Sequence, residues 1–262
     1  MVRTYALLAW AWTRAAMAYR ASFALMIVLG VAVTATDVAV ILVIFSHTTA
    51  LGGFTRDEVL FLYGGAGLSF ALCDMFVSSV DRVSQHIRAG TLDTMLVRPV
   101  GAWIQLATDR FAPTRAGRVV QAAVVLGYAL SVLDVDVRRL WMVPVMVVTG
   151  VVIFAAIWTL GGAAQFFLTD APEVANAFTY GGGQLTQYPL SVYGRDLARG
   201  VTYVLPLAFV NWQPALYVLD RDDPFGTPGF VRFLGPVAAA VLTLPAWLAW
   251  RQGLRHYRST GS

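Results

Sequence analysis

From Ala21 to Phe45 the chain runs for 25 residues with a single charge, Asp37. About 20 apolar residues are enough to cross the roughly 30 Å hydrocarbon core of a bilayer. Four more stretches share this character: Val59–Val80 with Asp74 as its one charge, Ala116–Leu133 with Arg118 at its edge, Trp141–Leu168, and Phe230–Trp250. A soluble fold cannot hide five such runs in 262 residues, and composition agrees. Hydrophobic residues make up 58% of the chain and charged residues 13%, against about a quarter charged in soluble domains. The chain therefore reads as an all-α integral membrane protein.

The region Val174–Val218 is apolar but broken by Pro189, Pro206 and Pro214, by Gly181–Gly183, and by Arg195, Asp196 and Arg199. Two continuous spans fit it poorly. A span over 174–190 followed by a re-entrant helical hairpin over 191–218 fits better, because broken backbone is tolerated at membrane depth only against protein or water. The spans are then 21–45, 59–80, 116–133, 141–168, 174–190 and 230–250, in one transmembrane domain covering 1–262. With both termini cytoplasmic, six spans put 12 arginines inside and seven outside, in line with the positive-inside rule. The inner set includes Arg110 and Arg258. A seventh span would place the arginine-rich C-terminus outside. Ahead of the first span, Trp10, Trp12, Arg3 and Arg14 suggest an interfacial helix over residues 2–20; the alternative is an extension of the first span. The N-terminus lacks the pattern of a cleavable signal peptide, since Arg14 and Arg20 interrupt its early apolar run.

Residues for chemistry are sparse. All 19 basic residues are arginine, so a phosphate-binding loop of the G-x-x-x-x-G-K type is impossible. The arginines are scattered through short loops, which excludes a nucleic-acid face. His47, His86 and His256 share no metal-ligand spacing, and the single cysteine, Cys73, excludes an internal disulfide and reads as a packed thiol. No catalytic, metal or cofactor-binding residue is expected. Asp37 and Asp74 stand out, because a carboxylate at mid-span costs about 2.5–3.5 kcal/mol on insertion scales. Each reads either as a proton or cation site or as a hydrogen-bonded contact between helices. No relay of partners is visible for them in the sequence.

The segment 81–112 is the most informative. Val80, Val83 and Ile87 recur at helical spacing, with Arg82, Gln85, His86 and Arg88 on other faces. Gly90 fits a helix C-cap, Arg98-Pro99 ends a short apolar turn (Met95, Leu96, Val97), and a second amphipathic piece runs from Ala102 to Arg110. This predicts a helix–break–helix lying on the cytoplasmic face.

Ile87-Arg88-Ala89-Gly90-Thr91-Leu92-Asp93-Thr94-Met95-Leu96-Val97-Arg98-Pro99 resembles the G-x-L-D-x-x-L-x-R-P stretch of ATP-binding-cassette exporter permeases of the six-span, second exporter type. Tyr188-Pro189, Tyr193, Leu205-Pro206-Leu207-Ala208-Phe209-Val210-Asn211-Trp212 and Pro214-Ala215 are similar to that branch's Y-P … P-F-A-F-V-N-x-x-P-A stretch, with Leu207 where Phe is the pattern. The resemblance is to the bacterial branch of about 260 residues. It implies a plasma-membrane permease with a coupling helix between spans two and three, acting through Ile87, Arg88, Gly90, Leu92, Asp93, Arg98 and Pro99. It also implies outer re-entrant helices carrying Tyr188, Pro189, Tyr193, Pro206, Phe209, Asn211 and Pro214. Two ATPase subunits that hold the ATP and magnesium, and a second permease, identical or different, are its implied partners. Two other classes remain as alternatives: a carrier driven by ions or protons through Asp37 or Asp74, and a membrane-embedded lipid-modifying enzyme.

Overall fold

The computed structural model describes residues 2–17, 20–109, 113–168 and 171–257. The expected inner arginines Arg110 and Arg258 lie outside the described residues. The chain is 79% helix, and the described residues contain no strand, only an isolated bridge between Leu51 and Phe54.

The helices run in the order α1 (Val2–Met17), α2 (Arg20–His47), α3 (Arg56–Phe76), α4 (Val83–Arg88), α5 (Thr91–Leu96), α6 (Ala102–Thr108), α7 (Ala116–Val132), α8 (Met142–Ala164), α9 (Ala171–Thr186), α10 (Arg195–Tyr203), α11 (Trp212–Val218) and α12 (Gly235–His256), with short 3-10 turns between several of them. Among the described residues, three helical stretches are long and apolar enough to cross a membrane: Phe23–His47, Arg56–Phe76 and Val137–Ala164; Ala116–Val132 is a shorter apolar helix. At about 1.5 Å per residue, the 23 residues of α8 extend about 34 Å.

Local chemistry sets the helix ends. Thr55 and Glu58 form a capping box at the start of α3, in which Glu58 accepts from the Thr55 N–H at 2.7 Å. The helix thus begins three residues before its apolar run and starts with charge suited to a helix N-terminus. It stops at Phe76, and the serines at 78 and 79 sit in a 3-10 turn, Ser78–Arg82. The helix therefore ends before the apolar pattern does. Pro236 lies in the first turn of α12, where its missing N–H costs nothing, while Pro245 interrupts the ladder in that helix's interior.

α3 and α8 form the centre. They pack on each other, α7 lies against α3, α12 against α8, and α9 against both. Phe70, Phe154, Trp158 and Tyr180 interlock where α3, α8 and α9 meet, with ring centroids 5.3 Å apart for Phe70–Phe154 and 6.0 Å for Trp158–Tyr180. Close approach requires small residues here. A Cβ on Gly64 would lie 2.7 Å from the Leu126 backbone of α7, and one on Gly183 would meet the Phe70 ring at 2.6 Å. Of the Gly181–Gly183 run, Gly182 and Gly183 are thus packing positions. α2 is the exception to this burial. Only 7% of its apolar window is covered, against 67% for α3, so Leu25, Met26, Leu29, Val40 and Val43 are exposed.

Candidate functional site

Two polar constructions occupy opposite ends of this bundle. One lies at the C-terminal ends of α3, α8 and α12, and the other at the N-terminal ends of the same helices.

At the first end, the segment expected as helix–break–helix is three short helices, α4, α5 and α6. Gly90 makes the first break. Its φ of +66° is the left-handed conformation that ends helices and favours glycine. The second break covers Arg98–Gly101 and contains Pro99. Buried Gln105 closes it, donating to the Met95 and Val100 carbonyls at 2.7 Å each. Leu92 is fully buried and Met95 nearly so, Ile87 packs partly against the core, and Asp93 and Gly90 are half-buried. Arg88, Arg98 and Pro99 are exposed, and Val97 is 85% exposed. The predicted coupling residues therefore split into an inner set that anchors and an outer set that projects.

The anchoring is specific. Gln165, just beyond α8, is 4% exposed; its Nε2 donates to the Asp81 carbonyl at 2.6 Å, and its Oε1 accepts the Ser84 N–H at 2.8 Å. Trp103 Nε1 donates to Thr159 on α8 at 3.1 Å. His86 Nε2 lies 3.2 Å from an Asp109 oxygen. Tyr5 of α1 donates to the Phe76 carbonyl at 2.8 Å, and α1 packs against α6.

Asp74 lies in the same region, at the last turn of α3. It is 2% exposed, with Arg115 Nη1 3.4 Å from Oδ1 and Arg118 Nη2 3.0 Å from Oδ2. The Arg118 contact is an ion pair by distance without hydrogen-bond alignment, and Arg115 also donates to the Asp74 carbonyl at 2.7 Å. Of the two readings of this carboxylate, the geometry matches a contact between helices: Arg115 at the N-cap of α7 and Arg118 in its first turn, three residues apart, face it. Asp37 differs. It is half-buried, and Tyr63 donates to it at a long 3.4 Å. Asp81 borders the Asp74 cluster. Burial pushes its carboxyl up to about 6, against the lowering pull of Arg82 and Arg115.

At the opposite end, residues 187–228 fold back over the bundle. Tyr188 and Tyr193 are half-buried and flank buried Pro189 and Leu190. Ser191 donates to the Gly52 carbonyl at 2.6 Å. Pro206 opens a turn through buried Leu207 and Phe209, and Leu207 packs on Gly182. Asn211, 1% exposed, donates through Nδ2 to the Leu62 carbonyl at 2.8 Å and the Thr186 carbonyl at 3.2 Å. One amide thus ties this segment to α3 and α9 together. Pro214 sits in the first turn of α11, where proline is tolerated. Arg221 grips Glu58 through two bonds of 2.6 and 2.8 Å, donates to the Gly53 carbonyl at 2.7 Å, and lies over the Phe54 ring.

Gln165, Gln105, Arg115, Arg118, Glu58 and Arg221 are functional candidates that motif reasoning missed. Arg115 and Arg118 carried a usable signal, being two cations at the edge of an apolar run in a chain with a mid-span carboxylate.

The family model described as "ABC-2 family transporter protein" matches residues 31–261. The chain belongs to the ABC-2 transporter family. As a member, it is a membrane-embedded permease component of an ABC transporter, a transport subunit rather than an enzyme, in a family whose permeases partner an ABC ATPase. No curated protein and no solved structure matches it. The segment α4–α6 and the hairpin residues both fall within the matched range of this ABC-2 permease, whereas all of α1 and the start of α2 precede it.

Proposed function

We propose that this ABC-2 permease is one membrane-spanning half of a bacterial plasma-membrane exporter. In this reading α2, α3, α7, α8, α9 and α12 are its six spans, α1 lies at the inner interface, α10–α11 form an outer re-entrant hairpin, and both termini are cytoplasmic. Two permeases, identical or different, assemble with two ATPases that bind ATP and magnesium. The permease contributes differential affinity between two conformations and leaves bond chemistry to its partners.

The observation that carries this reading is the bracing of α4–α6. The segment projects Arg88, Val97, Arg98 and Pro99. Behind them, Gln165 and Trp103 hold it to α8 and its end, and the Asp74–Arg115–Arg118 cluster joins α3 to α7 next to it. A force applied to the exposed tip reaches three spans through short polar contacts in close-packed surroundings, which transmit displacement rather than absorb it.

The test is Arg98→Glu in the assembled complex. Arg98 is exposed, so folding is expected to be unaffected, while transport and permease-dependent ATP hydrolysis fall at least about tenfold, the effect of roughly 1.4 kcal/mol. Full coupling in that variant refutes the assignment of α4–α6 as the ATPase-facing element.

A further inference from the structure

The hairpin encloses a cavity of about 280 Å3 between α10 and the loop after α11, lined by Arg195, Arg199, Thr202, Tyr203, Gln213 and Asp223 among others. Two features point to its ligand. Arg195 and Arg199, one turn apart on α10, are exposed and have no ion-pair or hydrogen-bond partner among the described residues. The cavity's carboxylate does not serve them. Asp223 Oδ1 accepts the Phe225 N–H at 3.0 Å, and Oδ2 accepts from Gln213 at 3.0 Å and from the Thr227 hydroxyl. Asp223 is thus committed to its own loop, and two guanidinium forks are left facing the cavity.

Guanidinium pairs recognise planar or tetrahedral oxyanions bidentately. The surroundings decide which oxyanion. Tyr203, 70% exposed, lines the cavity, while Leu197 and Val204, 47% and 78% exposed, lie on the opposite face of α10, so the helix is amphipathic. At the same end Trp141 stacks on Phe233 with ring planes 7° apart, half-exposed. Aromatic and apolar side chains around arginines are the signature of the bilayer interface, where a lipid presents its phosphate beside its acyl chains. We propose that this cavity binds the phosphate of a phospholipid headgroup through Arg195 and Arg199, with Tyr203 at its rim and the apolar opposite face of α10 seating the helix in the bilayer interface. The leaflet involved, the outer one, follows from the six-span reading; the site itself does not depend on it.

The full chain in detergent is titrated with dioctanoyl phosphatidylglycerol, dioctanoylglycerol and inorganic phosphate, and binding is read by native mass spectrometry. Phosphatidylglycerol is expected to bind, dioctanoylglycerol to bind far more weakly, and inorganic phosphate to compete poorly. Arg195→Gln/Arg199→Gln lowers phosphatidylglycerol affinity about tenfold or more, since two charge-assisted contacts are lost. Arg195→Lys/Arg199→Lys retains the larger part, and Arg138→Gln changes nothing. Unfolding midpoints near the parent's exclude misfolding as the cause. Equal affinity in the Gln pair, or equal binding of dioctanoylglycerol, overturns the site; competition by inorganic phosphate as strong as by the lipid overturns the lipid as its source. Sidedness is read separately, by labelling Gly194→Cys with an impermeant maleimide in intact cells. Labelling only after lysis overturns the outer placement and leaves the site standing.

Discussion

Gln165→Leu isolates the link between the exposed tip of α4–α6 and the span α8. The leucine keeps the volume but removes one donor and one acceptor, leaving the Asp81 carbonyl and the Ser84 N–H without the bonds of 2.6 and 2.8 Å they now make. Ser84 is 7% exposed and Gln165 4%, so water does not readily replace the lost partner. An unsatisfied buried group costs about 1–3 kcal/mol, giving about 2–6 kcal/mol for the pair. At 1.36 kcal/mol per decade, even the lower end raises local opening of residues 81–88 roughly 30-fold. Amide hydrogen exchange on the detergent-solubilised complex reads this directly, as faster exchange of the peptide spanning Asp81–Arg88 with little change in α3. Gln165→Glu, which keeps an acceptor for Ser84 but loses the donor when ionised, falls between. Transport per ATP hydrolysed drops in the same order. If exchange of that peptide rises less than about threefold in Gln165→Leu, or if it rises while coupling is untouched, the bracing argument is wrong.

Two further predictions concern the ends of the bundle. Because burial raises the Asp81 carboxyl to about 6, above its unfolded value of about 3.9, the folded chain binds more protons than the unfolded one between about pH 4 and 6. Stability falls as pH rises through that window, and Asp81→Asn flattens this slope in unfolding midpoints measured from pH 4.5 to 7.5; an unchanged slope refutes the assignment. At the other end, Glu58→Ala breaks both the Arg221 grip and the Thr55 capping box, whereas Arg221→Gln breaks only the grip. Charge-assisted bonds contribute about 1.5–3 kcal/mol, and a cap about 1 kcal/mol more. Glu58→Ala is therefore expected to lower the unfolding midpoint further, and a larger loss in Arg221→Gln contradicts the geometry.

Apolar runs place helices well because helix formation in lipid is forced by the backbone alone: every N–H and C=O must be satisfied within the segment. That demand is visible in one dimension, as are the stops imposed by Gly90, Pro99, Pro189 and Pro206. Contacts across helices depend on rotation about each axis, which an all-apolar helix such as α8 hardly encodes. Gln165 illustrates the loss. In the run Trp141–Leu168 it counts only as the absence of a charge, yet it holds α4 and the turn before it to the end of α8. Asn211 does the same work between the hairpin and two helices. In both places the residue is a neutral amide, which can donate and accept without the desolvation cost of an ion. The ion pairs, by contrast, cluster near the helix ends, at Asp74 with Arg115 and Arg118 and at Glu58 with Arg221, where charge is cheapest to keep. Asn211 is legible because it lies in the stretch that carries the family resemblance, whereas Gln165 becomes visible only if uncharged amides inside apolar runs are weighted as heavily as acids.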